Sequence, residues 1–314
     1  MLLVIQFCWM TFAISANGQE KDSIKSTSEL TFSDSLSIEQ LDSIFSYSDS
    51  LSIFSMIDSL LKSQSTIADL GSSLVIRAGV NSNIISAGRS IGVSQLGATS
   101  GISYYHKSGL FADLSSYWSE DYNPKLYLTI ASVGYLKTIS KHYSILASYD
   151  RLIYNNTDIN VENPLTNMVG ISNFVDFKPV TIRLDYSFYF GGEKAHRLTP
   201  GFVLSLRKYN FIGLDRISFN PSYQVLFGSA TVTSIQLAQR ASVRKKLPAF
   251  QQFNQNEFGL MNHAVTFPLR ITKKNWSLTV AYTYNWPVSL PGETSSLPEN
   301  SFTSFTISKL ISFK

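Results

Sequence analysis

From Leu74 onward, apolar and polar residues alternate in runs of strand length. Within residues 276–286, Trp276, Leu278, Val280, Tyr282, Tyr284 and Trp286 fall on one side, and Ser277, Thr279, Ala281, Thr283 and Asn285 on the other. A period of two predicts a strand with one apolar and one polar face. Tryptophans at both ends of the apolar face separate this strand from one of a soluble sandwich. At about 3.3 Å per residue and a tilt of about 40°, the span rises about 25 Å, the height between the aromatic girdles of a membrane barrel. The same design recurs where Val180, Ile182, Leu184, Tyr186, Phe188 and Phe190 alternate with Thr181, Arg183, Asp185, Ser187 and Tyr189. It recurs again where Ile217, Phe219, Pro221, Tyr223, Val225 and Phe227 alternate with Ser218, Asn220, Ser222 and Gln224.

Twelve strands are predicted, at about 73–83, 97–106, 110–119, 125–138, 143–154, 166–177, 180–191, 199–209, 216–228, 257–271, 275–287 and 302–313. Links after the second, fourth, sixth and tenth are tight: Lys107-Ser108-Gly109, Ile139 to His142, Lys178-Pro179 and Thr272-Lys273-Lys274. Links after odd-numbered strands are longer, notably Asn155 to Leu165 and Thr231 to Asn256. An even strand count with short turns on one side and long loops on the other predicts an all-β fold. It is a closed antiparallel transmembrane β-barrel over 70–314, of the outer-membrane type, with both its ends periplasmic.

The region before the barrel reads differently. The only long apolar run, Leu2 to Ala16, is too short for a membrane helix and is followed by Asn17-Gly18-Gln19. Ala16 and Gly18 occupy the positions that signal peptidase reads, so 1–18 is expected to be a signal peptide. Its removal would leave no cysteine, since the single one is Cys8, and would exclude disulfides and thiolate metal sites. Residues 19–69 are serine-rich and hold nine acids and three bases, a net of −6. Residues 70–314 hold 23 bases and 13 acids, a net of +10. Two helical stripes in the acidic piece, one through Ile44, Tyr47, Leu51, Phe54 and Leu61, predict a short, partly helical periplasmic segment. Its serines make helices that form best against a partner.

Asp-Ser-aliphatic triplets recur in this segment at Ser23, Ser35, Ser43, Ser50 and Ser59, and no Asp-Ser pair follows residue 60. They read first as caps of successive helical turns. Alternatively they resemble the general O-glycosylation sequon of Bacteroidota, which would make those five serines modification sites. The run from Ile102 to Trp118 (ISYYHKSGLFADLSSYW) resembles hairpins of outer-membrane barrels of Bacteroidota. The ending from Phe305 to Lys314 (FTISKLISFK) resembles the terminal strand read by the barrel-assembly machinery. There the aromatic Phe313 is penultimate, and Lys309 shares a face with Ile307 and Ile311. Either a bulge turns Lys309 away or the face assignment changes at that end. The resemblance covers residues 70–314, is one of architecture, and carries no catalytic residues.

Candidate chemistry is sparse. His106, His142, His196 and His263 have no metal-ligand spacing, and no metal or cofactor is expected. His106-Lys107-Ser108 matches the His-x-Ser of outer-membrane lipid A deacylases, but it falls in a turn assigned to the wrong leaflet and reads as a hairpin turn. The His-Ser-Asn-Gly of outer-membrane phospholipases, the Walker loop, the Rossmann fingerprint and His-Glu-x-x-His are absent. A non-enzymatic protein is therefore expected, with a lipid hydrolase as the remote alternative. The informative set is the predicted lumen charges, Arg77, Asp113, Lys137, Arg183, Asp185, Arg207 and Arg270, where bases exceed acids. An open lumen of that composition would prefer anions, whereas charges that pair would simply fill it. Trp118, Trp276, Trp286 and Phe313 are the predicted aromatic girdle. The basic run Arg240 to Lys246 would face lipopolysaccharide or fold inward. Two functions follow: a narrow porin-like conduit with weak anion preference, or an assembly subunit that docks an envelope partner through 19–69. Nucleic acid is not an expected partner of an exported chain with one short basic cluster.

Overall fold

The computed structural model describes residues 72–82, 96–120, 125–155, 165–191, 194–237, 250–290 and 297–313, with the backbone alone for 230–237 and 250–256. The leader, the acidic segment with its five Asp-Ser triplets, and the run Arg240 to Lys246 lie outside the described residues.

All described elements are strands. They are β1 (Ser72–Asn81), β2 (Gly97–Tyr105), β3 (Leu110–Ser119), β4 (Leu126–Ser140), β5 (Tyr143–Tyr154), β6 (Asn167–Phe177) and β7 (Val180–Phe190). There follow β8 (Ala195–Leu204), β9 (Leu206–Phe211), β10 (Leu214–Phe219), β11 (Ser222–Leu237), β12 (Phe250–Lys273), β13 (Trp276–Pro287) and β14 (Asn300–Phe313). Every pairing is antiparallel, and β1 pairs with β14, so the sheet closes on itself. Fourteen segments make twelve staves, because β8 with β9 and β10 with β11 are each one strand interrupted. The register runs through the breaks unchanged: Val203 faces Ser222 and Leu206 faces Phe219. The cause of the interruption in the second stave is Pro221, which has no N–H to give the ladder, although its carbonyl still accepts from the Leu204 amide at 2.9 Å.

Three strands, β8, β11 and β12, differ from their expected extents. β8 starts at Ala195 rather than 199, and the barrel accommodates Pro200 where β8–β11 pairing is omitted opposite Val225 and Leu226. The expected long link 231–256 is largely strand, since β11 and β12 continue as a two-stranded ribbon to Leu237 and Phe250. Beyond Ala230 and Glu257 they pair only with each other, and the β-branched run Thr231-Val232-Thr233 suits that extended ribbon.

The faces sort by residue parity. On β7, Ile182, Leu184 and Tyr186 are exposed, while Thr181, Arg183, Asp185 and Ser187 turn inward and are buried or half-buried. On β13, Leu278 and Tyr282 are exposed, and Ala281, Thr283 and Asn285 are buried. Apolar side chains outside and polar ones inside invert the arrangement of a water-soluble barrel, and suit one whose surrounding solvent is lipid. No described helix could cross a membrane, which says nothing against crossing by strands. The tight turns 106–109, 140–142, 178–179, 212–213 and 274–275 share one end with Ser72 and Phe313, and the longer links share the other.

Candidate functional site in the barrel interior

The interior is layered. At the short-turn end, Tyr105, Phe111, Leu136, Leu146, Phe174 and Val203 form a buried apolar cluster on the wall made by β2 to β8. At the long-link end, Tyr117, Tyr127, Leu128, Ile130 and Leu152 form a second.

Above the first cluster lies a paired polar network. Arg77 is 6% exposed and donates to Asp113 through both terminal nitrogens, at 2.7 Å to Oδ1 and 2.9 Å to Oδ2. It also donates to the Ser103 and Ser115 hydroxyls, which themselves donate to the same carboxylate. The reach from β1 to β3 depends on Gly101, the residue of β2 opposite Arg77. A Cβ there would lie 2.8 Å from Arg77 Cζ, so the guanidinium crosses β2 where only a hydrogen stands in its way. Farther round the wall, on β7, Arg183 pairs with Asp185, and its guanidinium carbon sits 5.8 Å from the Phe174 ring centroid.

The opposite wall is different. Ser218 on β10 faces Arg207 on β9 and Arg270 on β12, so three adjacent strands carry Arg-Ser-Arg in one inward row. Arg216 is the next inward residue along β10. The inward positions of β9 and β10, and of β12 from Asn262 to Thr272, hold no Asp or Glu. Arg270 lies within electrostatic reach of both Arg216 and the Tyr105 hydroxyl.

Of the expected lumen charges, Arg77, Asp113, Arg183, Asp185, Arg207 and Arg270 stand on inward positions. Lys137 corrects the expectation. It shares parity with the exposed Val133 and Tyr135 and stands on the outer face near the β4–β5 turn. Its error was a phase error, since β4 alternates poorly by hydropathy around Thr138 and Ile139. Arg197, Arg216, Asp150 and Asp176 are inward residues the sequence reading passed over. Arg216 was legible, one step before the polar face Ser218, Asn220, Ser222; Arg197 was hidden by the late start assigned to its strand.

On the outside, Trp276 and Phe313 stand at the short-turn end, Trp286 at the other, and the Trp118 ring lies under the Lys125 ammonium at 5.9 Å. Lys309 resolves its own puzzle. β14 shows no register shift against either neighbour, and Lys309 stays outside with its ammonium 5.2 Å from the Trp276 ring centroid. A lysine at the edge of an apolar belt can lift its charge toward water along its aliphatic stem.

His106 Nδ1 lies 2.8 Å from Ser108 Oγ, but it also accepts the Ser108 amide N–H at 3.2 Å, which is how a side chain closes a turn. Ser108 is exposed and His106 half-buried. The other histidines have separate partners: the Asp176 carbonyl for His142, Tyr186 for His196 and Tyr223 for His263. Among the described residues no cluster is suited to a metal ion.

No family model matches the sequence, and no curated protein is similar to it. Solved structures with a similar fold include the KdgM porin, at 12% identity and a TM-score of 0.42 over 77% of this chain and 99% of that one. The NanC porin gives 12% identity and 0.41 over 77% and 99%, and LpxR from Salmonella typhimurium gives 9% and 0.40 over 76% and 99%.

Proposed function

We propose that this protein is an integral outer-membrane β-barrel serving as a narrow conduit with weak anion preference, without chemistry of its own, and with its short-turn end in the periplasm. The reading rests on the inward row Arg207-Ser218-Arg270 with Arg216 beside it, a wall that carries no carboxylate. Guanidinium groups in a space of low dielectric raise the local anion concentration and repel cations. In planar bilayers the reversal potential under a salt gradient should report anion preference, and Arg216→Glu with Arg270→Glu should move it toward cations. The conduit reading does not survive a correctly folded barrel that stays silent.

A second reading is supported by the two apolar clusters and by the Arg77–Asp113 pairing, which occupy interior space as a filled barrel would. On it, the barrel anchors an assembly subunit that docks an envelope partner through residues 19–69, whose net charge is −6. Deleting 20–69 should then abolish co-purification of envelope partners while leaving a folded, non-conducting barrel. For a conduit the same deletion should leave conductance present or increased.

A further inference from the structure

Eight of the ten lysines among the described residues stand at the short-turn end, and each of the five hairpins there carries at least one. The densest sector spans β9 to β14, with Lys208, Lys273, Lys274 and Lys309 against a single acid, Asp215, whose carboxylate accepts the Lys274 amide. Within it the register builds a specific arrangement. Trp276 on β13 faces Lys273 on β12 and Lys309 on β14, so an outward row reads Lys-Trp-Lys across three strands. Neighbouring strands lie about 4.8 Å apart, which sets the two lysine stems about 10 Å apart with the indole between them. Trp276 is 50% exposed, and toward mid-belt the same face continues with Leu278 and Ile307, both exposed.

We propose that Lys273, Trp276 and Lys309 form a headgroup site for one anionic phospholipid of the leaflet at the short-turn end. The two ammonium groups flank the phosphodiester, the indole marks the interface, and the acyl chains lie along Leu278 and Ile307. A zwitterionic lipid would bring a cation of its own to a lysine pair, which disfavours it. An acidic peptide would complement the charge but has no use for the apolar row below, so the observations favour lipid. The inference rests on the membrane-spanning reading of the barrel and is independent of whether the lumen conducts.

The test uses the full chain in nanodiscs of phosphatidylcholine with a minor fraction of phosphatidylglycerol, followed by detergent extraction and native mass spectrometry of retained lipid. Phosphatidylglycerol should be retained over phosphatidylcholine by about thirtyfold, the effect of two lysines near a headgroup plane. Lys273→Gln with Lys309→Gln should remove most of that preference, Lys273→Arg with Lys309→Arg should keep it, and Lys125→Gln with Lys194→Gln at the other end should not alter it. Equal retention of the two lipids, or an unchanged preference in the glutamine pair, overturns the site. Displacement of phosphatidylglycerol by a synthetic peptide of residues 19–69 would overturn it in favour of an acidic peptide. Should the glutamine pair fail to fold, the wild-type preference must fall as salt is raised, and a salt-independent preference overturns the site equally. Failure of the chain to enter nanodiscs at all would instead strike the membrane reading.

Discussion

Gly101 and Arg77 show how single residues organise the interior. Without a side chain at 101, the guanidinium lies against the wall and makes a two-pronged bond to Asp113 two strands away. Gly101→Ala puts a methyl carbon 2.8 Å from Arg77 Cζ, so the guanidinium held by Asp113 must shift, and should cost about 1–3 kcal/mol by overpacking. Asp113→Ala should cost more, about 3–5 kcal/mol, because it leaves Arg77 buried with its carboxylate gone. Urea unfolding followed by the heat-modifiable mobility of the barrel measures both. If the alanine at 101 were the more damaging, the network would not be held by the ion pair. Lys309 carries the opposite lesson, since a charge on the outer face is tolerated where an indole and the membrane edge are within reach of its stem.

For a strand, what matters is which neighbour each face meets. Leu184 and Ser187 lie three residues apart on β7, the first exposed outward and the second turned inward beside Asp185. Leu184→Arg near mid-strand should cost about 2–4 kcal/mol, while Ser187→Arg should be far milder because it enters a polar lumen. Equal losses of folded barrel in lipid would show that the two faces meet the same surroundings. β9, β10 and β12 illustrate the same point for charge. Each contributes ordinary alternating residues, and the arginine row exists only because the register aligns Arg207, Ser218 and Arg270.

At the scale of the molecule, the proposed direction across the membrane is open to labelling. With the short-turn end in the periplasm, single cysteines at Asn160, between β5 and β6, and at Ser234 on β11 should react with an impermeant maleimide on intact cells. A cysteine at Ser108 in the β2–β3 turn should stay silent until the cells are opened. Labelling at Ser108 on intact cells would reverse the orientation, and with it the leaflet that meets the lysines of the short-turn end.

How much of this was legible beforehand follows from the physics of a β-barrel. Alternation is written residue by residue, so the all-β class, the twelve staves and the outward faces of strands such as β7 and β13 could be read without coordinates. Six of the seven expected lumen charges follow from the same parity, and Lys137 fails where Thr138 and Ile139 blur it. The absence of any cysteine after Cys8 and the charge split between 19–69 and the rest are likewise properties of composition alone. Neighbours across strands are another matter. Whether Arg77 meets Asp113, whether Arg207 and Arg270 share a row, and whether Lys273 and Lys309 flank one tryptophan all depend on register. Register is set by turn geometry and closure summed around the whole sheet, and a shift of one residue in any strand would turn every one of its side chains to the other face.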